Sequence, residues 1–178
     1  MRAELKKLLA ERKSNIFKKW FDAILDTYPL ETQRFLRREK DRFANPVKYN
    51  ISEGIEGILK VLIEEEGDVS SFLDQVIRIR AVQDFSPSEA LAFIFFLKNV
   101  IRDELKEEIK KQELFDELLE FESKIDKLAL LSFNVYMQCR EKLYEIRVNE
   151  IKRLTYSLLK RANLIYEIPD FKDYNLMR

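Results

Sequence analysis

The chain has 178 residues, 46% of them hydrophobic and 36% charged, with three glycines, four prolines, one cysteine, one tryptophan and no histidine. That length suits one domain with a real core, and scarce Gly and Pro beside abundant Leu, Glu and Lys predict an all-α protein. The missing imidazole excludes a Ser-His-Asp triad, a Cys-His pair, His-bearing zinc sites and a His-ligated haem, while a lone Cys139 permits no internal disulfide or iron–sulfur cluster.

Thirty-two basic and 32 acidic residues cancel, yet residues 1–45 carry +5, residues 46–125 carry −8 and the remainder +3. Arg34, Arg37, Arg38, Lys40 and Arg42 interleave with Glu31, Glu39 and Asp41. With no RNA motif or recognition helix beside them, they read as a solvated helix face, and no nucleic-acid partner is expected. The start of the chain is charged throughout, and the longest apolar run, residues 90–97, falls far short of the roughly 20 residues a spanning helix needs. Cytoplasmic residence without membrane insertion is the expectation.

In chain order, residues 3–27 place Leu5, Leu8, Leu9, Ile16, Phe17, Trp20, Phe21, Ile24 and Leu25 at helical spacing, with a bend expected near Ser14. A short helix is expected over residues 30–43, with Phe35, Leu36 and Phe43 as its apolar contacts. Asn45 then caps a helix with Pro46 at its first position, running to about residue 66. Gly54 and Gly57 in its middle each cost about 1 kcal/mol relative to alanine, so a neighbouring helix or a ligand should approach closely there. Gly67 and Asp68 read as a stop and a cap before a helix over 70–82.

Ser86, Pro87 and Glu89 form a capping box with the favoured proline, opening a helix apolar nearly all round and therefore central. Residues 88–168 contain neither glycine nor proline, and the polar stretch 110–113 is the expected interruption. Beyond it, a long helix or helix pair over 112–166 is expected, with an irregular tail at 167–178. Leu118, Ile125, Ser132, Tyr136, Cys139, Leu143 and Ile146 form a heptad-like seam, and the phase shifts near residues 147–149 by a stutter or a helix boundary.

Carboxylates are plentiful, as at Glu64, Glu65 and Glu66, at Glu104, Glu107 and Glu108, and at Glu117 and Glu120. They alternate with lysines at helical pairing distances and lack the ExxH backing of a bundle di-metal site. No phosphate-cradling loop or nucleophile elbow is present, so no metal, cofactor or catalytic residue is expected and the chain is not read as an enzyme. Cys139 reads as a small buried apolar residue. Most of the 13 phenylalanines read as core, with Trp20, Phe43, Phe93 and Phe96 as the candidate pocket for an apolar or planar ligand.

Trp20, Tyr28-Pro29, the DRFANPV block at 41–47 and the RAVQDFSPSEA block at 80–90, followed by Phe93, Phe96, Leu97 and Lys98, resemble the N-terminal sensor domain of the RsbT co-antagonist (stressosome) family over residues 16–101. The resemblance implies a haem-free, globin-like helical domain that forms a homodimer and passes a signal to an output domain. The best known members continue into a STAS domain that contacts a kinase. This chain ends at Arg178, and nothing after Tyr166 is long enough for one. A single free-standing sensor or adaptor domain over 1–178 is expected, a non-enzymatic signalling module. It is read as dimeric through the long helix, with Leu118, Ile125, Ser132, Tyr136, Cys139, Leu143 and Ile146 as interface and a regulatory protein as further partner. The alternative is a small-molecule-binding bundle.

Overall fold

The computed structural model describes residues 3–38, 41–83, 85–162 and 164. Among them are eight helices and no strand: α1 (Ala3–Glu11), α2 (Lys13–Leu25), α3 (Leu30–Arg38), α4 (Pro46–Glu64), α5 (Ser70–Val82), α6 (Pro87–Glu104), α7 (Lys106–Gln112) and α8 (Phe115–Arg161). The all-α expectation holds, including the long C-terminal helix. Residues fall into two compact units, Met1–Arg140 and Glu141–Arg178. The tail expected at 167–178 lies outside the described residues.

Most helix boundaries follow the signals in the sequence. The Asn45 side chain accepts a hydrogen bond from the Lys48 amide at 3.1 Å, with Pro46 next in line. The Ser86 hydroxyl accepts from the Glu89 amide at 3.4 Å while the Glu89 carboxylate accepts from the Ser86 amide at 3.0 Å, the reciprocal satisfaction that a capping box provides. Asp68 accepts from the Ser70 amide at 2.9 Å. The expected bend near Ser14 falls at Arg12, between α1 and α2. The polar stretch breaks after Gln112, where Glu113 adopts a left-handed conformation and α8 starts two residues later. Residues 147–149 are continuous helix, so the phase shift there is no helix boundary.

Two elements differ. The helix opened at Ser86 already breaks at Leu105, between α6 and α7, ahead of the expected interruption. The helix expected through residue 43 ends at Arg38, and Phe43, expected as a core contact, is 92% exposed. The Asp41 carboxylate accepts from the Phe43 amide at 2.8 Å, closing a local turn that competes with helical pairing. Of the three expected contacts only Leu36 is buried; Phe35 is exposed.

In the first unit one apolar core joins Leu5 and Leu9 of α1, Ile16 and Ile24 of α2, Ile55 and Ile58 of α4, Val76 and Ile77 of α5, Phe93 and Leu97 of α6, and Phe121 and Ile125 of α8. The helix α6 sits in its midst through Ala90, Phe93, Ile94, Leu97 and Ile101, although Phe95 faces outward.

The two mid-helix glycines are explained by α5. A Cβ on Gly54 would lie 2.4 Å from the Val76 Cγ2 and 3.1 Å from the Phe72 carbonyl oxygen, and one on Gly57 would lie 2.3 Å from the Phe72 ring. Another helix, not a ligand, makes the close approach. Gly54→Ala should therefore lose about 1–3 kcal/mol by overpacking despite the better propensity of alanine, because a backbone oxygen cannot turn aside. Gly57→Ala meets only a half-buried ring and should lose less. Urea titrations of the two variants check the order, and a gain in stability at Gly54 would refute the account.

The second unit, as far as it is described, is the helical stretch of residues 141–161 with residues 162 and 164. Every side chain from Tyr144 to Arg161 is exposed.

Candidate functional site

The aromatic candidates do not form one pocket. Trp20 and Phe93 are fully buried and stacked, with centroids 6.2 Å apart and planes inclined by 19°, and the indole N–H donates to the Phe93 carbonyl at 2.6 Å. Their space is filled by each other. Phe96 is half-buried on another side of α6, and Phe43 stands in solvent.

The most unusual chemistry lies where α5 gives way to α6. Arg80 has no exposed surface, and its Nη2 donates to the Thr27 hydroxyl at 3.1 Å and the Glu89 carbonyl at 3.0 Å. Its Nε and Nη1 meet no acceptor, and no carboxylate among the described residues pairs with it. Aromatic faces surround the cation instead, with Phe85 4.2 Å, Tyr28 5.6 Å and Phe93 5.9 Å from the guanidinium carbon. Burial pulls the guanidinium below its ordinary range, Tyr28 countering, and pushes the Tyr28 phenol up. Around this core Tyr28 donates to Gln83 at 2.9 Å, Tyr136 to the Phe85 carbonyl at 2.9 Å, and Arg140 to the Ala81 carbonyl at 3.2 Å. The turn from α5 to α6 is thus held by Thr27 and Tyr28, which follow α2, on one side and by α8 on the other.

In the sequence Arg80 stands out only as the first residue of the RAVQDFSPSEA block. A signal was there: it follows Leu73, Val76 and Ile77 by seven, four and three residues, which sets it on the buried stripe of α5.

The seam expected as a dimer interface turns inward instead. Leu118, Ile125 and Tyr136 belong to the core of the same chain, and Ser132, also buried, donates to the Leu128 carbonyl at 2.7 Å. Cys139 and Leu143 are half-buried and Ile146 is exposed. The four inward residues are corrected from interface to core, because a helix stripe that packs on its own domain has no surface left for a partner. Burial also pushes the Cys139 thiol up, with Asp74 adding to the effect, which favours the thiol over the thiolate.

Acidic residues are spent on pairing. Glu104 accepts from Lys19 at 2.5 Å and Asn15 at 3.1 Å, Glu108 accepts from Arg12 at 3.0 Å, and Glu122 takes both Nε and Nη2 of Arg102 at 2.5 and 2.6 Å. The bond from Lys19 holds the Glu104 carboxyl below the usual carboxylate range. A depressed carboxyl stabilises the fold above its unfolded pKa of about 4.3, and that contribution disappears as pH falls through the lower folded value. Glu104→Gln should therefore cost at most about 1 kcal/mol at neutral pH, and the deficit should vanish in strong acid. Urea melts at both pH values test this; a deficit that persists in acid would show a packing effect.

The chain belongs to the RsbT co-antagonist protein rsbRD N-terminal domain family, whose model matches residues 14–151. This is a family of regulatory, stressosome-type signalling domains. The chain is also similar to an uncharacterized protein of Archaeoglobus fulgidus, 25% identical over 136 residues that cover 74% of this chain and 79% of the relative. No solved structure matches the chain. No helix among the described residues is long and apolar enough to cross a membrane.

Proposed function

We propose that this protein is a non-enzymatic cytoplasmic signalling module that works as a homodimer and through contacts with a regulatory protein. The observation that carries the reading is one apolar face of residues 141–161. Tyr144, Val148, Ile151 and Leu158 recur there at steps of four, three and seven and all are exposed, at 52%, 47%, 63% and 64%. A coiled-coil seam has that spacing, and a second copy packed along it would bury it. In the sequence the seven-residue step of Tyr144, Ile151 and Leu158 also reaches back to Met137 and Leu130. These residues replace the inward seam as the proposed interface.

A haem-free, globin-like character is part of the proposal. It is supported by a chain without histidine, hence without an axial imidazole, and by the stacked Trp20 and Phe93 filling the interior.

Sedimentation equilibrium tests the dimer. The wild type should dimerise, and Ile151→Glu should weaken the dimer at least about a hundredfold, near 2.7 kcal/mol, by placing a carboxylate in the seam. Helical circular dichroism should be unchanged, since Ile151 is exposed in the single chain. A wild type that stays monomeric at all concentrations overturns the reading.

A further inference from the structure

A groove of about 350 Å³ opens where the end of α6, α7 and the start of α8 meet, lined by Arg102, Lys106, Ile109, Lys110, Phe115, Leu118, Leu119 and Glu122. Ile109 and Leu118 form a buried apolar floor, while Phe115 and Leu119 are large apolar side chains left 54% and 63% exposed. Exposed rings and branched chains clustered around a concavity mark a surface built to be covered.

The rim is cationic, with three basic side chains against the single carboxylate of Glu122. That carboxylate is already held by both donors of Arg102. Lys106 and Lys110 are exposed and pair with no carboxylate among the described residues. Four residues apart on α7, their ammonium groups are placed to hold one anion between them. The volume lies at the low end of ordinary ligand pockets, whereas a helix about 10 Å across needs a longer trough. A small occupant with an anionic end and an apolar body meets both features.

We propose that this groove binds a single monomeric amphiphile, an acyl chain ending in a carboxylate, with the head between Lys106 and Lys110 and the chain over Ile109, Phe115, Leu118 and Leu119. The site is built from α6, α7 and the start of α8 and uses none of residues 141–161, so either proposal can fail alone.

Calorimetric titration of the full-length protein with decanoate below its micellar concentration is the test. Saturable binding of one decanoate per chain is expected, with decanol at least about tenfold weaker for want of the charge and acetate silent for want of the chain. Lys106→Gln together with Lys110→Gln should weaken decanoate at least about tenfold and leave decanol unchanged. Phe115→Ser should weaken both, and far-ultraviolet circular dichroism checks that each variant is folded. Equal affinity for decanoate and decanol, an unaffected double lysine variant, or no saturable binding overturns the proposal. So does co-sedimentation with phosphatidylglycerol vesicles in the absence of decanoate binding, which would assign the patch to a bilayer surface.

Discussion

Trp20→Ala is expected to cost about 3–5 kcal/mol, the range for deleting a large buried aromatic side chain. Trp20 has no exposed surface, stacks on Phe93 and donates its indole N–H to the Phe93 carbonyl, so its loss opens a cavity between α2 and α6 and removes a bond joining them. Against a total stability of about 5–15 kcal/mol such a loss leaves a domain near its threshold. Urea denaturation followed by circular dichroism gives the number. Trp20→Phe should fall in between, keeping most of the ring volume while losing the hydrogen bond, a deficit of about 1–2 kcal/mol. A loss below about 1 kcal/mol for the alanine variant would mean that the site collapses around the gap and that the stacked pair is no keystone.

Arg80→Met should have the opposite sign. The guanidinium is buried with two of its three nitrogens lacking acceptors and with no carboxylate partner among the described residues. Uncompensated burial of a charge is costly, and replacing buried ions with apolar side chains of similar size often stabilises by about 1–4 kcal/mol. The two acceptors that lose Nη2 are not orphaned. Thr27 still donates to the Ile24 carbonyl at 2.7 Å, and the Glu89 carbonyl lies in the first turn of α6. The opposing term is the contact of the cation with Phe85, Tyr28 and Phe93, worth about 2 kcal/mol when desolvated. A net gain of about 1–2 kcal/mol is therefore expected in the same urea titration. A loss instead would show that the aromatic cage outweighs desolvation and that Arg80 is a structural anchor.

The sequence disclosed the helices better than it disclosed their outward and inward faces. The caps at Asn45 and Ser86, and the bond from the Ser70 amide to Asp68 just ahead of α5, are local, each decided within four residues, so they read directly from the chain. The close approach at Gly54 was legible for a related reason, since a mid-helix glycine needs an explanation wherever it occurs. The face of α8 was not. Two apolar stripes run along that helix, one through Leu118, Ile125 and Tyr136 and another through Tyr144, Ile151 and Leu158, and periodicity assigns neither to core or surface. Which stripe packs inward is decided by partners distant in sequence, among them Arg102 and Lys98 of α6 and the Phe85 carbonyl that Tyr136 bonds. Phe43 is apolar, but the turn that Asp41 closes holds it out of the helix, and apolarity alone does not reveal that turn. Arg80 was passed over because a charged residue on a buried stripe looks like an exposed one until the positions three, four and seven residues earlier are weighed with it.

The glycine contact between α4 and α5 also constrains how this domain can move. With Val76 and the Phe72 ring seated in notches that lack a Cβ, α5 cannot slide along α4 by a turn without leaving both notches for positions that carry side chains. Interdigitated helices of this kind have discrete resting positions rather than a continuous track. A signal that rearranges the domain must therefore carry α4 and α5 as one rigid piece and find its give elsewhere. The break at Arg12 between α1 and α2 is no such place, since Leu9 and Ile16 on either side of it are fully buried in the shared core and Arg12 itself donates to Glu108.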